Sequence, residues 1–254
     1  MAVETITGRH NALLTHLRKL ASSRAYREES GEYLCDGVKL LEEAIKWDAP
    51  IRTAVFADGV EIPELPDGVR IVRVSGELMK SVSPMDTPQG ALFTVALPER
   101  KLPQTLTGKH YLVLDGVQDP GNVGTILRTA DAFECDGVFL VNACADAYSP
   151  KTNRATMGAI FRREVYSTTL DALTVLLRES GIPLYGTALR DDTVPLGSAD
   201  LKCAAVAIGS EGRGLSRHVL AACEKTLKIP MNPRCESLNA AVAASVVLWE
   251  MYRR

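Results

Sequence analysis

The chain has 254 residues, enough to bury one large core or two modest ones, and its 46% hydrophobic and 24% charged residues are ordinary for a globular protein. A formal net charge of −2 excludes a generally basic nucleic-acid binder, so any cationic face must be local. Cys35, Cys135, Cys144, Cys203, Cys223 and Cys235 contain no Cys-x-x-Cys pair and the four histidines do not gather with them, which argues against a metal site or a disulfide framework and for reduced thiols.

Arg9 and His10 interrupt the N-terminus early and no apolar core follows, so no secretory signal is read there. Residues 1–20 read as an amphipathic helix, with Leu13, Leu14, Leu17 and Leu20 at helical spacing. A polar segment runs from Ser22 to Glu32. Tyr33-Leu34-Cys35 then reads as a strand broken at Asp36-Gly37, before a helix from Val38 to Trp47. Strands are expected at Ile51–Ala57, Val69–Val74 and Ala91–Leu97, and Ser75 can cap a short helix through Lys80. This is a small α/β domain over residues 1–97. Residues 98–109 carry Pro98 and Pro103 with no sustained period and read as a linker.

From Tyr111 the pattern changes to apolar strand runs alternating with helices. Strands are expected at Tyr111–Leu114, Gly137–Val141, Pro183–Thr187, Ala204–Ile208 and Leu227–Ile229, with helices starting near Asn122, Lys151, Leu170 and Leu215. Such alternation implies a parallel sheet covered on both faces, making residues 110–254 a second α/β domain. The last helix, Leu238 to Tyr252, is apolar on nearly every side and should be buried all round, more than one monomer's core requires. Its longest apolar stretch, Ala240 to Trp249, falls far below the roughly 20 residues that span a bilayer. A cytoplasmic protein is expected.

Three segments of this half place glycine or proline beside polar side chains where apolar runs end, which is how open α/β sheets build ligand sites. The first is Pro120-Gly121-Asn122-Val123-Gly124-Thr125-Ile126-Leu127-Arg128, in which Asn122 is read as the cap of the following helix. The second, Ile208-Gly209-Ser210-Glu211-Gly212-Arg213-Gly214-Leu215, has no following Gly-Lys-Ser/Thr, so it is not a P-loop. It wraps a flexible backbone around something small, with Glu211 inside. The third is Ile229-Pro230-Met231 running into Glu236-Ser237-Leu238-Asn239, where Ser237 or Asn239 can start the final helix. Cys235 lies in this segment without a nearby histidine and is not read as a nucleophile.

Taken together, the three segments resemble the signature motifs of the SpoU-type, TrmH-like RNA 2′-O-ribose methyltransferases of the SPOUT superfamily. The resemblance covers residues 110–254, with the motifs in the family's order. It implies an α/β fold whose C-terminal parallel sheet carries a deep trefoil knot, with homodimers packed through the knotted region. The N-terminal domain resembles small RNA-binding domains related to ribosomal proteins. The resemblance further implies S-adenosylmethionine as cofactor, held by Gly209, Ile229 and Leu238 with Met231 and Thr187 in the pocket wall. Arg128, Asn122, Glu211, Ser237 and Asn239 would form the active centre. The implied activity is methyl transfer to a ribose 2′-hydroxyl, with large-subunit ribosomal RNA favoured by the extra domain. A non-catalytic RNA-binding or ribosome-assembly protein on the same scaffold is the alternative, and its mark would be loss of those polar residues. An unrelated nucleotide-binding enzyme lacks the phosphate fingerprint it would need.

RNA affinity comes largely from phosphates, so cations must gather locally. The expected gathering joins Arg9, Arg18, Lys19, Arg24 and Arg27 with Lys151, Arg154, Arg162 and Arg163.

Overall fold

The computed structural model describes residues 3–190 and 193–253, and contacts divide the chain into two compact units. The first is Met1–Glu99 with Tyr148–Phe161; the second is Arg100–Ala147 with Arg162–Arg254.

The helix expected over residues 1–20 needs correction: residues 1 and 2 lie outside the described residues, and the chain opens on a strand, β1 (Val3–Ile6). Helix begins only at α1 (Ala12–Ser22), where the Asn11 side chain accepts the Leu13 N–H at 2.8 Å. The leucine period starts at residue 13, whereas Val3-Glu4-Thr5-Ile6 is rich in β-branched residues that suit a pleated strand. The polar segment after it folds as α2 (Arg24–Ser30), capped by Ser23 and ended by Gly31 at φ 65°. With a single buried side chain, this helix has no apolar period to betray it.

Strands β2 (Glu32–Asp36), β3 (Ile51–Ala57), β4 (Arg70–Val74) and β5 (Ala91–Ala96), with helices α3 (Val38–Lys46) and α4 (Gly76–Val82), lie where the sequence places them. The sheet order is β1-β4-β3-β5-β2, with β5 antiparallel to both neighbours and β1, β4 and β3 mutually parallel. One face buries Leu14, Leu17, Val72 and Leu92, the other Leu41, Phe56 and Phe93.

The second unit opens with β6 (His110–Asp115), α5 (Pro120–Ala132) and β7 (Gly137–Val141). Next comes α6 (Pro150–Thr156), which by contact is part of the first unit. There Tyr148 packs on Tyr33 with ring centroids 5.0 Å apart, and the fully buried Asn153 donates to the Leu34 and Tyr148 carbonyls. The chain returns as β8 (Val165–Ser167), α7 (Leu170–Glu179), β9 (Leu184–Thr187), β10 (Val194–Pro195), β11 (Ala204–Gly209), α8 (Arg217–Ala222), β12 (Lys225–Lys228) and α9 (Ala240–Tyr252). Strands β8 and β10, of three and two residues, are too short to register as a period, and the sequence pattern does not reveal them.

All seven strands of this sheet run parallel in the order β10-β12-β9-β11-β6-β7-β8. From β6 the chain steps outward to β7 and β8, then crosses to β9 on the far side of β11. The strand order therefore reverses between β6 and β11.

Two expectations about the flanking helices are corrected. The cap of α5 is Asp119, whose Oδ1 accepts the Asn122 N–H at 2.9 Å with Pro120 at the first helical position; Asn122 sits within the first turn. Helix α9 is not enclosed by its own chain. Ala244, Val247, Leu248 and Met251 are buried, but Val242, Trp249 and Tyr252 are 48%, 50% and 46% exposed.

Candidate active site

Asp119, by taking the cap of α5, frees the Asn122 side chain for longer-range bonds. Its Nδ2 donates to Glu211 Oε1 in the glycine-rich loop after β11, and its Oδ1 accepts from Asn239 Nδ2 at 3.1 Å. Asn239 caps α9, its Oδ1 accepting the N–H groups of Ala241 and Val242 at 2.9 and 3.3 Å. The direction of this chain is forced. The orphan N–H groups of α9 demand an acceptor, so Asn239 must turn its NH₂ toward Asn122. Asn122 then shows its carbonyl to Asn239 and its NH₂ to Glu211, which must accept. One polar relay thus links the three segments singled out in the sequence.

The loop carrying Glu211 is closed on itself. Ser210 and Gly214 exchange backbone hydrogen bonds at 3.2 and 2.9 Å, leaving residues 211–213 as the tip. Gly209 is required at its base for a reason the sequence hides: a Cβ there would lie well inside van der Waals contact with the Gly214 carbonyl and the Leu215 nitrogen. These are backbone atoms, which cannot swing aside as the end of a side chain can.

The relay flanks a cavity of about 280 Å³ at the carboxyl ends of β9, β11 and β12. Thr187, Gly209, Ile229, Met231 and Leu238 line it, so the five residues expected in a cofactor pocket are brought together. Glu211 and Ser237 also line it, and the Thr187 hydroxyl is spent on the Ala207 carbonyl at 2.9 Å. Apolar walls with a polar mouth and strand-end backbone suit a flat nucleoside that carries hydrogen-bonding edges. Ala188, Leu189 and Lys228 belong to the same wall and are not singled out in the sequence; no motif marks them.

Arg128 is the site residue that this geometry does not join. It is exposed on α5, two turns beyond the cap, and its side chain makes no hydrogen bond or ion pair with the other described residues. The expected cation gathering is also thinned. Arg27 is 5% exposed and donates to the Leu20 carbonyl, while Arg162 and Arg163 both close on Asp131 at 2.7 and 2.8 Å. These guanidiniums are committed to internal acceptors, which a list of charges cannot reveal. Arg9 and Arg24 sit in exposed pairs with Glu77 and Glu28, contacts that contribute about 0–1 kcal/mol and that a phosphate can displace.

All six cysteines are free, and burial pushes the thiols of Cys135 and Cys223 up to about 12, far from a reactive thiolate. Among the described residues no group of His, Cys, Asp and Glu could hold a metal ion, and no helix is long and apolar enough to cross a membrane.

A seven-stranded parallel α/β sheet with a pocket at its strand ends matches the architecture of the SPOUT methyltransferases. The chain belongs to the SpoU rRNA Methylase family, which matches residues 109–249; residues 11–92 match the MRM3-like substrate binding domain. It is 32% identical to the 23S rRNA (guanosine(2553)-2'-O)-methyltransferase RlmP of Bacillus subtilis, over 92% of this chain and 93% of that protein. The solved AdoMet-bound rRNA methyltransferase from Sinorhizobium meliloti superposes with a TM-score of 0.87 at 27% identity, covering 99% of this chain and 98% of that one. The SpoU methyltransferase AviRb from Streptomyces viridochromogenes, in complex with the cofactor AdoMet, gives 0.85 at 25% identity, covering 96% and 98%.

Proposed function

We propose that this chain transfers a methyl group from S-adenosylmethionine to a ribose 2′-hydroxyl of large-subunit ribosomal RNA. The observation that carries this reading is the Glu211–Asn122–Asn239 relay at the mouth of the pocket. A non-catalytic scaffold would have no need to keep three polar side chains locked in one bonding direction. When bound, S-adenosylmethionine supplies a methyl group already activated on a sulfonium centre.

The protein's task is then to hold and orient. Gly209, Ile229 and Leu238 offer backbone and apolar contact to the nucleoside, with Met231 and Thr187 completing the wall. Ser237, exposed at the lip, and Glu211 face the ribose. Asn239 is bonded at both ends of its amide, which favours Glu211 over Asn239 as the group that takes the hydroxyl proton. Arg128 cannot serve as a base, because a guanidinium stays protonated in proteins. We assign it to the phosphate beside the target ribose and to the developing alkoxide.

The first unit is assigned to substrate RNA, with residues 1–97 its main part, 98–109 the linker and 110–254 the catalytic portion. On this reading the C-terminal segment is threaded as the trefoil knot of the family, and two copies pair through it. Support for pairing lies in Trp249, Tyr252 and Phe133, whose ring centroids cluster within 6.4 Å of one another, and in the exposure of Trp249, Tyr252 and Val242 on the same helix. A ribosomal substrate fits a cytoplasmic protein.

The test is to map ribose methylation across ribosomal RNA from cells with and without the gene. One large-subunit nucleotide should lose its 2′-O-methyl group, and purified protein with labelled cofactor should restore it. An unchanged map, or label recovered on a base, would overturn the reading. For Arg128, Arg128→Ala should leave cofactor affinity within a few fold and slow transfer by roughly 10²–10³, the loss expected for one preorganised charge-stabilising group. Arg128→Lys should rescue little, since a point charge lacks the guanidinium fork. Near wild-type turnover in the alanine variant would remove Arg128 from the mechanism.

A further inference from the structure

Methyl transfer as described leaves the most deeply buried carboxylate among the described residues unused. Asp115 ends β6, stands opposite Gly209 in the β6–β11 register, and is 3% exposed. Its Oδ2 accepts the Ser216 backbone N–H at 2.6 Å, and its Oδ1 accepts from Asn142 Nδ2 at 2.8 Å. Asn142 Nδ2 also approaches Ser216 Oγ at 3.4 Å, which closes a triangle across the ends of β6, β7 and the loop after β11.

Each corner of that triangle bears on the glycine loop. Ser216 is the residue at which the loop of 209–215 becomes α8, and its Oγ accepts the Val219 N–H as the helix cap. Asn142 at φ 54° and Ala143 at φ 58° are consecutive non-glycine residues in the left-handed region, a conformation that persists only where surrounding bonds hold it. A carboxylate so thoroughly removed from water is costly, and well-packed apolar groups often replace buried charges without loss of stability. Global stability is thus a weak reason for a charge at this place. Its two bonds instead fix where the loop ends.

We propose that Asp115 is a positioning residue: acting through Ser216 and braced by Asn142, it sets the seat of the 209–215 loop and hence the place of Glu211 against Asn122 and the pocket. Asp115 is not part of the cavity wall. The kinetic part of this inference rests on the methyl-transfer reading; the cofactor-binding part does not.

The test uses the full chain in three forms: Asp115→Ala, Asn142→Asp, and the exchange Asp115→Asn with Asn142→Asp. S-adenosylmethionine affinity is read by calorimetry, kcat and KM with deproteinised large-subunit ribosomal RNA, and stability by melting. Asp115→Ala should weaken cofactor binding roughly 10-fold or more and lower kcat roughly 30-fold or more, with KM for RNA within about twofold, at temperatures well below its melting point. Asn142→Asp sets two carboxylates against each other and should lose at least as much.

The exchanged pair restores complementary bonding. The amide now at position 115 would accept from the Ser216 N–H and donate to the carboxylate at position 142, which can also accept a hydrogen bond from the Ser216 hydroxyl. Affinity and kcat of the exchanged pair should return to within about threefold of wild type, a recovery that only coupled residues give. If Asp115→Ala does not fold, Asn142→Asp and the exchange still decide. An alanine variant that melts lower yet binds and turns over normally would overturn the proposal, as would an exchanged pair no better than Asn142→Asp. Wild-type protein that binds the cofactor but transfers no methyl group would sink the functional reading while leaving the affinity comparison to judge Asp115.

Discussion

Asn122→Asp should abolish most methyl transfer, by on the order of 10³-fold, and should be worse than Asn122→Ala. The amide works in both directions, donating to Glu211 and accepting from Asn239. A carboxylate keeps only the second bond. Against Glu211 it sets two acids within hydrogen-bond reach, which repel each other unless they share a proton. Either they share a proton, and Glu211 loses the charge its role needs, or they part and the loop shifts. Alanine breaks both bonds but sets no second acid beside Glu211. Were Asn122 a helix cap, the order would reverse, because aspartate caps about as well as asparagine. Turnover at saturating RNA decides between them; an aspartate variant keeping a tenth of wild-type kcat would sink the relay.

The second large effect is expected from adding one methyl group. Gly209→Ala places a Cβ on the Gly214 carbonyl and the Leu215 nitrogen, so the loop must open. Opening breaks the two Ser210–Gly214 hydrogen bonds, at about 1 kcal/mol each, and the displaced backbone adds strain. Together these set the loss of S-adenosylmethionine affinity at roughly 100-fold. Gly212→Ala is the control within the same tip: a Cβ there meets nothing within 4 Å, its backbone is outside the left-handed region, and affinity should change by less than about threefold. Calorimetry on both settles it. Equal affinities would show that the loop's glycines serve flexibility in general rather than one tight approach. A larger substitution such as Gly209→Val adds little information, since the first methyl already collides.

Much of this site is legible in the amino-acid sequence. The three segments stand out because strand ends, turn residues and helix starts are local features, set within a few residues by backbone sterics and capping. The five pocket residues, and a start of the last helix at Ser237 or Asn239, follow from that local pattern together with family resemblance. The same local reasoning fails at α5, where it makes Asn122 the cap. Asp119-Pro120 is the better local signature, an acceptor followed by proline at the first helical position. Arg27, Arg162 and Arg163 mislead for another reason: charge is visible in a sequence, but its commitment to a carbonyl or an aspartate is not.

The sequence by itself determined the strands of four residues or more except β1, most of the helices, the parallel second sheet and the polar residues the site would use. Each depends on periodicity and propensity over a few residues. The tertiary structure decided which of those residues meet. The Asn122–Glu211 and Asn122–Asn239 bonds join positions 89 and 117 apart, and Asp115 reaches Ser216 across 101. It also decided that α6, between β7 and β8 in sequence, packs in the core of the first unit. No local rule reaches that far. A pairing across a hundred residues exists only once the sheet has fixed its strand order, because that order brings the loop ends within hydrogen-bond distance.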